Sequence, residues 1–295
     1  MTNILDILGT EYDPAKDLKD NLKTTKLGSW NVRNVPVYAV MSDRDIPMGF
    51  SAIVRTNPLD RTKRDVLGET KGRFNLQTNE FMATTLQDLR DEMNRDSDLG
   101  LEFHSMGELD GGKKVFVSLY SAEWEVYLIG LMSYDQTIPA SIQAAVELPG
   151  GGLMNLELSE GLTGRFPLAA QNLVEQVRQY RSAVKDLAED TSCDAYGTTD
   201  TMGAIYRALG LPEGTVKTST MTRYANKAEQ VLKFLPEQNR FTQWDVFCAV
   251  CAWVDFAAPV RGAKLGELKT LRAEQGLLKP YRKQDAFNRL FNPVS

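Results

Sequence analysis

The spacing of apolar and polar residues changes period several times along this 295-residue chain. After a short apolar stretch that predicts a helix over Ile4–Leu8, a polar run extends to Lys26 and reads as an arm. Two alternating segments follow, "VPVYAV" (35–40) and "FSAIVRT" (50–56), with Asp43, Arg44 and Asp45 in the turn between them. Alternation of this kind predicts paired strands. The period then lengthens: Met82, Leu86, Leu89 and Met93 recur at 4-3-4 spacing, with Thr78 or Asn79 placed to cap an amphipathic helix. Alternation resumes in "LEFHSM" and "VFVSLY", on either side of an Asp-Gly-Gly turn. Asp110-Gly111 supplies the positive φ angles that a tight hairpin demands. "WEVYLIGLMSY", "SIQAAVEL" and "LMNLEL" predict three further strands. No segment between them is long enough for a helical crossover, so the meander is expected to be antiparallel.

From Leu168 onward the pattern is helical. Leu173, Val177, Tyr180, Val184 and Leu187 form a 4-3-4-3 stripe that suits either a helix laid on the sheet or an oligomer seam. "TMGAIYRALGLPEG" is a helix stopped at Gly210 and Pro212, and "TSTMTRYANKAEQVLKFLP" is one ended at Pro236. "TQWDVFCAVCAWVDFAAP" is apolar nearly all round and is expected to be buried, and a last short helix fits "KQDAFNRLF". The expected class is α+β: an antiparallel β-meander packed against helices, with a helical C-terminal portion. The chain reads as an N-terminal arm (1–28), an α+β core (29–165) and a helical portion (166–295).

Composition narrows the functional classes. A chain that is 42% hydrophobic and 25% charged has the makings of a real core. No apolar run reaches membrane-helix length, and the acidic, interrupted N-terminal sequence does not read as a secretory signal. A soluble cytoplasmic protein is the expectation. Three cysteines, Cys193, Cys248 and Cys251, are too few and too unevenly placed for a disulfide framework. The net charge of -5 means that the surface as a whole does not attract phosphate, so a nucleic-acid site has to be a local patch.

Few residues invite chemistry. Cys248 and Cys251 have CxxC spacing but sit inside an apolar helix, and the single histidine, His104, is remote in sequence, so core packing is the better reading. His104 lies in an alternating strand with no nucleophile motif beside it. "LPGGGLMN" (148–155) and "GELDGGKK" (107–114) both lead into strands, whereas a phosphate loop of the Walker type needs Lys-Ser or Lys-Thr entering a helix. Neither catalysis nor a cofactor is expected. One basic stretch stands out, 55–73, "RTNPLDRTKRDVLGETKGR", with six basic and three acidic residues. It reads either as a solvated loop or as a phosphate-binding patch of Arg55, Arg61, Lys63, Arg64, Lys71 and Arg73. Tyr38 and Phe74 are candidate stacking faces for single-stranded bases. Lys113 and Lys114 complete the candidate set; being adjacent on a strand, they point to opposite faces, so no more than one is expected to reach a nucleic acid.

The order of segments resembles a phage- and plasmid-encoded family of unknown function. That family shows W-x-V-x-x-x-P, matched here by Trp30, Val32 and Pro36, then a short strand at Val66–Gly68, then Asn79 and a helix containing Phe81. Its hairpin is matched by Gly107, Leu109, Gly111, Gly112, Lys113, Val115, Phe116 and Val117. A later motif is matched by Thr242, Trp244, Ala249, Val250, Trp253, Val254 and Asp255. The resemblance covers roughly residues 28–262; where the family carries an Arg-Val-x-Cys-x-Asn-Thr-like segment, this chain reads "LSEGLTGRFPLAAQN". It implies a bacteriophage or mobile-element origin. By analogy of element order, the arrangement is similar to single-strand annealing proteins of the RecT, Red-beta and Erf kind. That likeness implies a homo-oligomer that binds single-stranded DNA and anneals complementary strands in recombination without ATP, alongside a phage exonuclease or a host single-strand binding protein. The alternative is a phage accessory or anti-defence protein that works through protein–protein contacts.

Overall fold

The structure, a computed structural model, describes residues 3–71, 76–97, 99–161, 166–189, 198–212, 214–237, 241–260, 262 and 264–291. In chain order its elements are α1 (Ile4–Leu8), β1 (Thr10–Glu11), α2 (Leu18–Thr24), β2 (Arg33–Val40), β3 (Asp45–Thr56), β4 (Arg64–Thr70) and α3 (Asn79–Asp96). Then come β5 (Leu101–Leu109), a 3-10 turn (Asp110–Gly112), β6 (Lys114–Ser121), β7 (Val126–Ser133), β8 (Ser141–Glu147) and β9 (Leu153–Gly161). The remainder is helical: α4 (Phe166–Glu189), α5 (Thr198–Ala208), α6 (Thr218–Leu232), α7 (Gln243–Phe256), α8 (Leu268–Leu278) and α9 (Tyr281–Phe291). The class is α+β, with antiparallel sheets and a helical C-terminal portion. The chain divides into two compact units. One comprises Leu8–Ala144 with Glu157–Val174; the other comprises Met1–Ile7, Ala145–Leu156 and Glu175–Ser295.

The strands form a six-stranded sheet of order β1-β5-β6-β7-β8-β9 and a three-stranded sheet of order β2-β3-β4. In the first unit α3 packs across β5, β6 and β7. Its apolar stripe is the reason: Met82, Leu86, Leu89 and Met93 are all buried. Each such side chain stabilises by about 1.5–3 kcal/mol on burial. Thr78 caps the helix, accepting a 3.1 Å hydrogen bond from the Phe81 N–H. The β5–β6 hairpin turns where its sequence requires: Asp110, Gly111 and Gly112 all have positive φ.

In the second unit the hub is α7, in which every residue from Val246 to Asp255 is buried. Helices α5, α6, α8 and α9 all pack on it. A capping box between Thr242 and Asp245 fixes its start. In α4, Val177 and Val184 are buried, as their stripe predicts; the side chains of Leu173 and Tyr180 lie outside the described residues.

Two regions differ from the reading of the sequence. The stretch 55–73 is not simply a loop: β4 occupies Arg64–Thr70 and pairs with β3 from Thr56↔Arg64 to Ser51↔Thr70. The opening residues, read as a polar arm, carry fully packed anchors: Leu22 on α2 and Leu27 just beyond it are both buried. Asn21 is wholly buried yet satisfied, because its side chain bonds the backbone of Asp13, Lys16 and Asp17.

Candidate nucleic-acid interface

The eight candidate cations fall into three groups. Arg55 is not available to a ligand. It lies on the inner face of the three-stranded sheet and is only 4% exposed. Its Nε donates to Asp65 at 2.9 Å, one terminal nitrogen to Glu108 at 2.6 Å and the other to the Gly111 carbonyl at 3.3 Å. The guanidinium lies 4.0 Å over the Trp30 ring. Gly112 makes this possible, since a Cβ there would overlap the guanidinium itself. One positive charge faces two carboxylates, so the cluster presents no net positive charge. Burial pushes the Asp65 carboxyl up, but hydrogen bonds from Asn57 and Arg55 outweigh it and hold the group below the usual range.

Lys114 is spent in the same way. It is 7% exposed, and its ammonium bonds Asp135 at 2.7 Å and Asp110 at 3.1 Å. The hairpin whose lysines suggested a phosphate grip is therefore built around two internal cations. It receives Arg55 through Glu108, Gly111 and Gly112, and it ties Lys114 to its own Asp110. Nearby, the buried Tyr134 hydroxyl donates to Asn79 at 2.7 Å, and Asn79 donates to the Leu27 carbonyl at 2.8 Å. Burial raises the Tyr134 phenol well above its ordinary value, so it stays a neutral donor.

Arg61, Lys63, Arg64, Lys71 and Lys113 form the second group, and all five are exposed. Arg73, like Phe74, lies outside the described residues. The loop between β3 and β4, which carries Arg61 and Lys63 and leads into Arg64 at the start of β4, is well braced. Asn57 accepts from the Leu59 and Asp60 N–H groups and donates to Asp65 at 2.9 Å. Asp60 accepts from Thr62 and pairs with Lys63 at 3.1 Å. The pair is exposed, so it costs little to open. Among the described residues Arg64 bonds only the backbone carbonyls of Arg61 and Lys63, which leaves its charge without a carboxylate there.

Register adds a residue that sequence reading missed. Arg33 on β2 opposes Val54 on β3, and Val54 opposes Val66 on β4. Side chains two apart share a face, so Arg33, Val54, Thr56, Arg64 and Val66 lie on one side of the sheet, opposite Arg55 and Asp65. This outer face is open: Val66 is 63% exposed, and Arg33 and Arg64 are also exposed. Beyond the reach of β4, the β2–β3 ribbon also shows bare apolar residues, including Tyr38, Val40, Met41, Ile46 and Met48. Arg33 could have been found only by extending the strand read at 35–40 and counting its register against β3.

The remaining sequence candidates have structural roles. Cys248 and Cys251 are buried in α7, and burial raises both thiols, Cys248 well above its ordinary value, so neither is a ready nucleophile. Cys193 lies outside the described residues. His104 contacts the rings of Tyr120 and Tyr127 edge-on. Among the described residues no group of His, Cys, Asp and Glu could hold a metal ion, and no helix is long and apolar enough to cross a membrane. One buried pair escaped the sequence: Lys283 on α9 reaches Asp255 on α7 at 2.6 Å and the Leu153 carbonyl at 2.6 Å, while Asp255 accepts from the Leu153 N–H. An acid deep in a nearly apolar helix, beyond the capping Asp245, was the available signal for it. Set beside known proteins, the chain finds no match: no family model, no curated protein and no solved structure matches it.

Proposed function

We propose that this protein binds single-stranded nucleic acid on the outer face of its three-stranded sheet and anneals complementary strands, without a nucleotide cofactor, in phage or mobile-element recombination. The observation that carries the proposal is the outer face itself. Two arginines without a carboxylate partner among the described residues, Arg33 and Arg64, flank exposed Val66, with Arg61 and Lys63 on the adjoining loop. Cations along a strand's path hold phosphates, and a flat apolar surface between them accepts bases with little sequence preference. The site is a local patch on an acidic chain, as the net charge of -5 requires. Lys71 and Lys113 are the remaining free cations of the candidate set; Arg55 and Lys114 are not part of the proposed interface.

A second reading, action through protein–protein contacts, has its own observation. The ribbon residues Val40, Met41 and Met48 are 82%, 55% and 50% exposed, and clustered apolar exposure of this kind marks macromolecular contact. Under the annealing reading that contact is a second copy of the chain, because annealing proteins present many weak phosphate contacts along one strand. The test is a titration of a labelled single-stranded oligonucleotide at low salt, followed by light scattering and an annealing assay. Salt-sensitive binding, growth in particle size and faster pairing are expected. No binding at low salt would contradict the proposal and leave the protein-contact reading.

A further inference from the structure

The helical unit contains a second cationic feature, independent of the sheet. A cavity of about 310 Å³ opens between α5, α6, α7 and α9. Its charged lining is Lys227, Arg282, Arg289 and Asp285, three cations against one acid, and its apolar wall includes Trp253 and Val254. In a chain of net charge -5 this is a marked local reversal.

Each cation is held in place, and among the described residues only Arg289 has a carboxylate within ion-pair reach. Lys227 is half-buried, has no carboxylate partner among the described residues, and rests its ammonium 4.9 Å from the Tyr224 ring. Tyr224 is itself fixed by a 2.9 Å hydrogen bond from its hydroxyl to the Gly210 carbonyl. Arg282 has a single long contact to Gln275 at 3.5 Å. Arg289 lies across the end of α5, donating to the Ala208 carbonyl at 3.2 Å, with Asp285 a distant 3.9 Å away. Gly210 permits that path, since a Cβ there would come within 2.8 Å of the guanidinium. Burial lowers the Lys227 ammonium from its ordinary value, and the charges of Arg223 and Arg282 lower it further. Such crowding of like charges is unfavourable for the empty protein and is relieved by an anion.

We propose that this cavity binds a phosphate group, with Lys227 and Arg282 as its principal donors and the Trp253 wall receiving the apolar body that carries the phosphate. Guanidinium and ammonium groups converging on one cavity suit a compact oxyanion. The phosphate belongs either to a free phosphate ester or to the backbone of a bound nucleic acid, and the two sources are separable by experiment.

Calorimetric titration with pyrophosphate is the first arm. Binding is expected, and Lys227→Met, which keeps the apolar stem, should weaken it by about tenfold or more. Asp285→Asn removes the one acid of the lining and should tighten binding several-fold, a gain that misfolding cannot produce. The second arm displaces pyrophosphate with a nucleoside monophosphate or with a single-stranded oligonucleotide. It uses a protein carrying Arg33→Glu, Arg61→Glu and Arg64→Glu, so that failure of the sheet interface leaves this measurement unaffected. Displacement by the monophosphate alone assigns a free ester; displacement by the oligonucleotide assigns a backbone phosphate. No binding of pyrophosphate at millimolar concentration, or affinity unchanged in Lys227→Met and Asp285→Asn, would overturn the proposal.

Discussion

Two sets of candidate cations, one around the hairpin turn and one between β3 and β4, meet opposite fates, although both are written in the same residue types. Around the hairpin turn, Arg55 and Lys114 each face two carboxylates and are buried. On the β3–β4 loop and at the start of β4, Arg61 and Arg64 have no carboxylate partner among the described residues and Lys63 has only an exposed one. The difference is set by the partner that topology brings up, not by local sequence. Asp65 reaches Arg55 across one strand pair, but Glu108 and Asp135 arrive from elements far along the chain. A cation enclosed in this way stabilises the fold, and the two carboxylates around it leave nothing to attract a phosphate. A cation left in solvent does little for stability and remains free to bind.

This contrast is breakable, and the largest effect is expected at Arg55. Arg55→Met leaves Asp65 and Glu108 facing a buried apolar group and removes the stacking on Trp30. It should cost about 3 kcal/mol, as loss of one partner from a buried pair does, read by chemical denaturation. Lys114→Met should cost less, about 2 kcal/mol, because Asp110 is half in solvent.

The Lys114 effect should also depend on pH. Burial pushes the Asp135 carboxyl up, but hydrogen bonds from Lys114 and Thr137 outweigh it and hold the group below the usual range. Burial pushes the Lys114 ammonium down, but Asp135 and Asp110 hold it above its ordinary value. A depressed carboxylate contributes stability above its unfolded pKa of about 3.9 and loses it as pH falls through the folded value. A raised ammonium contributes stability below its unfolded pKa of about 10.4 and loses it as pH rises through the folded value. The stability gap between the unmodified protein and Lys114→Met should therefore be flat between about pH 4 and 10 and shrink at both extremes. A gap that varies across neutral pH would show that another group carries it.

Smallest of all is the effect expected at Lys113. It sits beside Lys114 in sequence but is exposed, so Lys113→Ala should change stability by no more than about 0.5 kcal/mol. If it touches a bound strand, the slope of log affinity against log salt should fall by about one.

How much of this was legible in the sequence follows from the range of each interaction. The helix α3, the hairpin turn and the apolar α7 were legible because their signals are local: the 4-3-4 stripe, Asp110-Gly111 and an unbroken apolar run. The split between Lys113 and Lys114 was expected from strand alternation, but Lys113 precedes β6 in the helical region of the 3-10 turn, so its exposure comes from the turn and not from alternation; Lys114 alone is on the strand, and buried. Of β4, only Val66–Gly68 was read as a strand, and that from the resemblance; its own pattern is weak because three of its seven residues are charged and only Leu67 and Thr70 are buried. The enclosure of Arg55 was illegible because its partners Glu108 and Gly111 lie more than fifty positions away. Arg33 was missed for the same reason: it lies just outside the strand read at 35–40, and its place on the outer face depends on its pairing with Val54 on β3. Lys283 and Asp255 lie 28 positions apart on different helices, and the pair left only an acid in the apolar run of α7 as a trace.

The most direct test compares the two groups of cations in one assay. Affinity for a single-stranded oligonucleotide is measured against salt for the unmodified protein and for a variant with Arg61→Glu, Lys63→Glu and Arg64→Glu, with thermal stability followed in parallel. The predicted result is a steep salt dependence in the unmodified protein, loss of most of the affinity in the variant, and a thermal midpoint that stays within a few degrees, because none of the three side chains is buried. Undiminished affinity in a folded variant, or no salt-sensitive binding by the unmodified protein, would contradict the assignment of the outer face as a nucleic-acid interface.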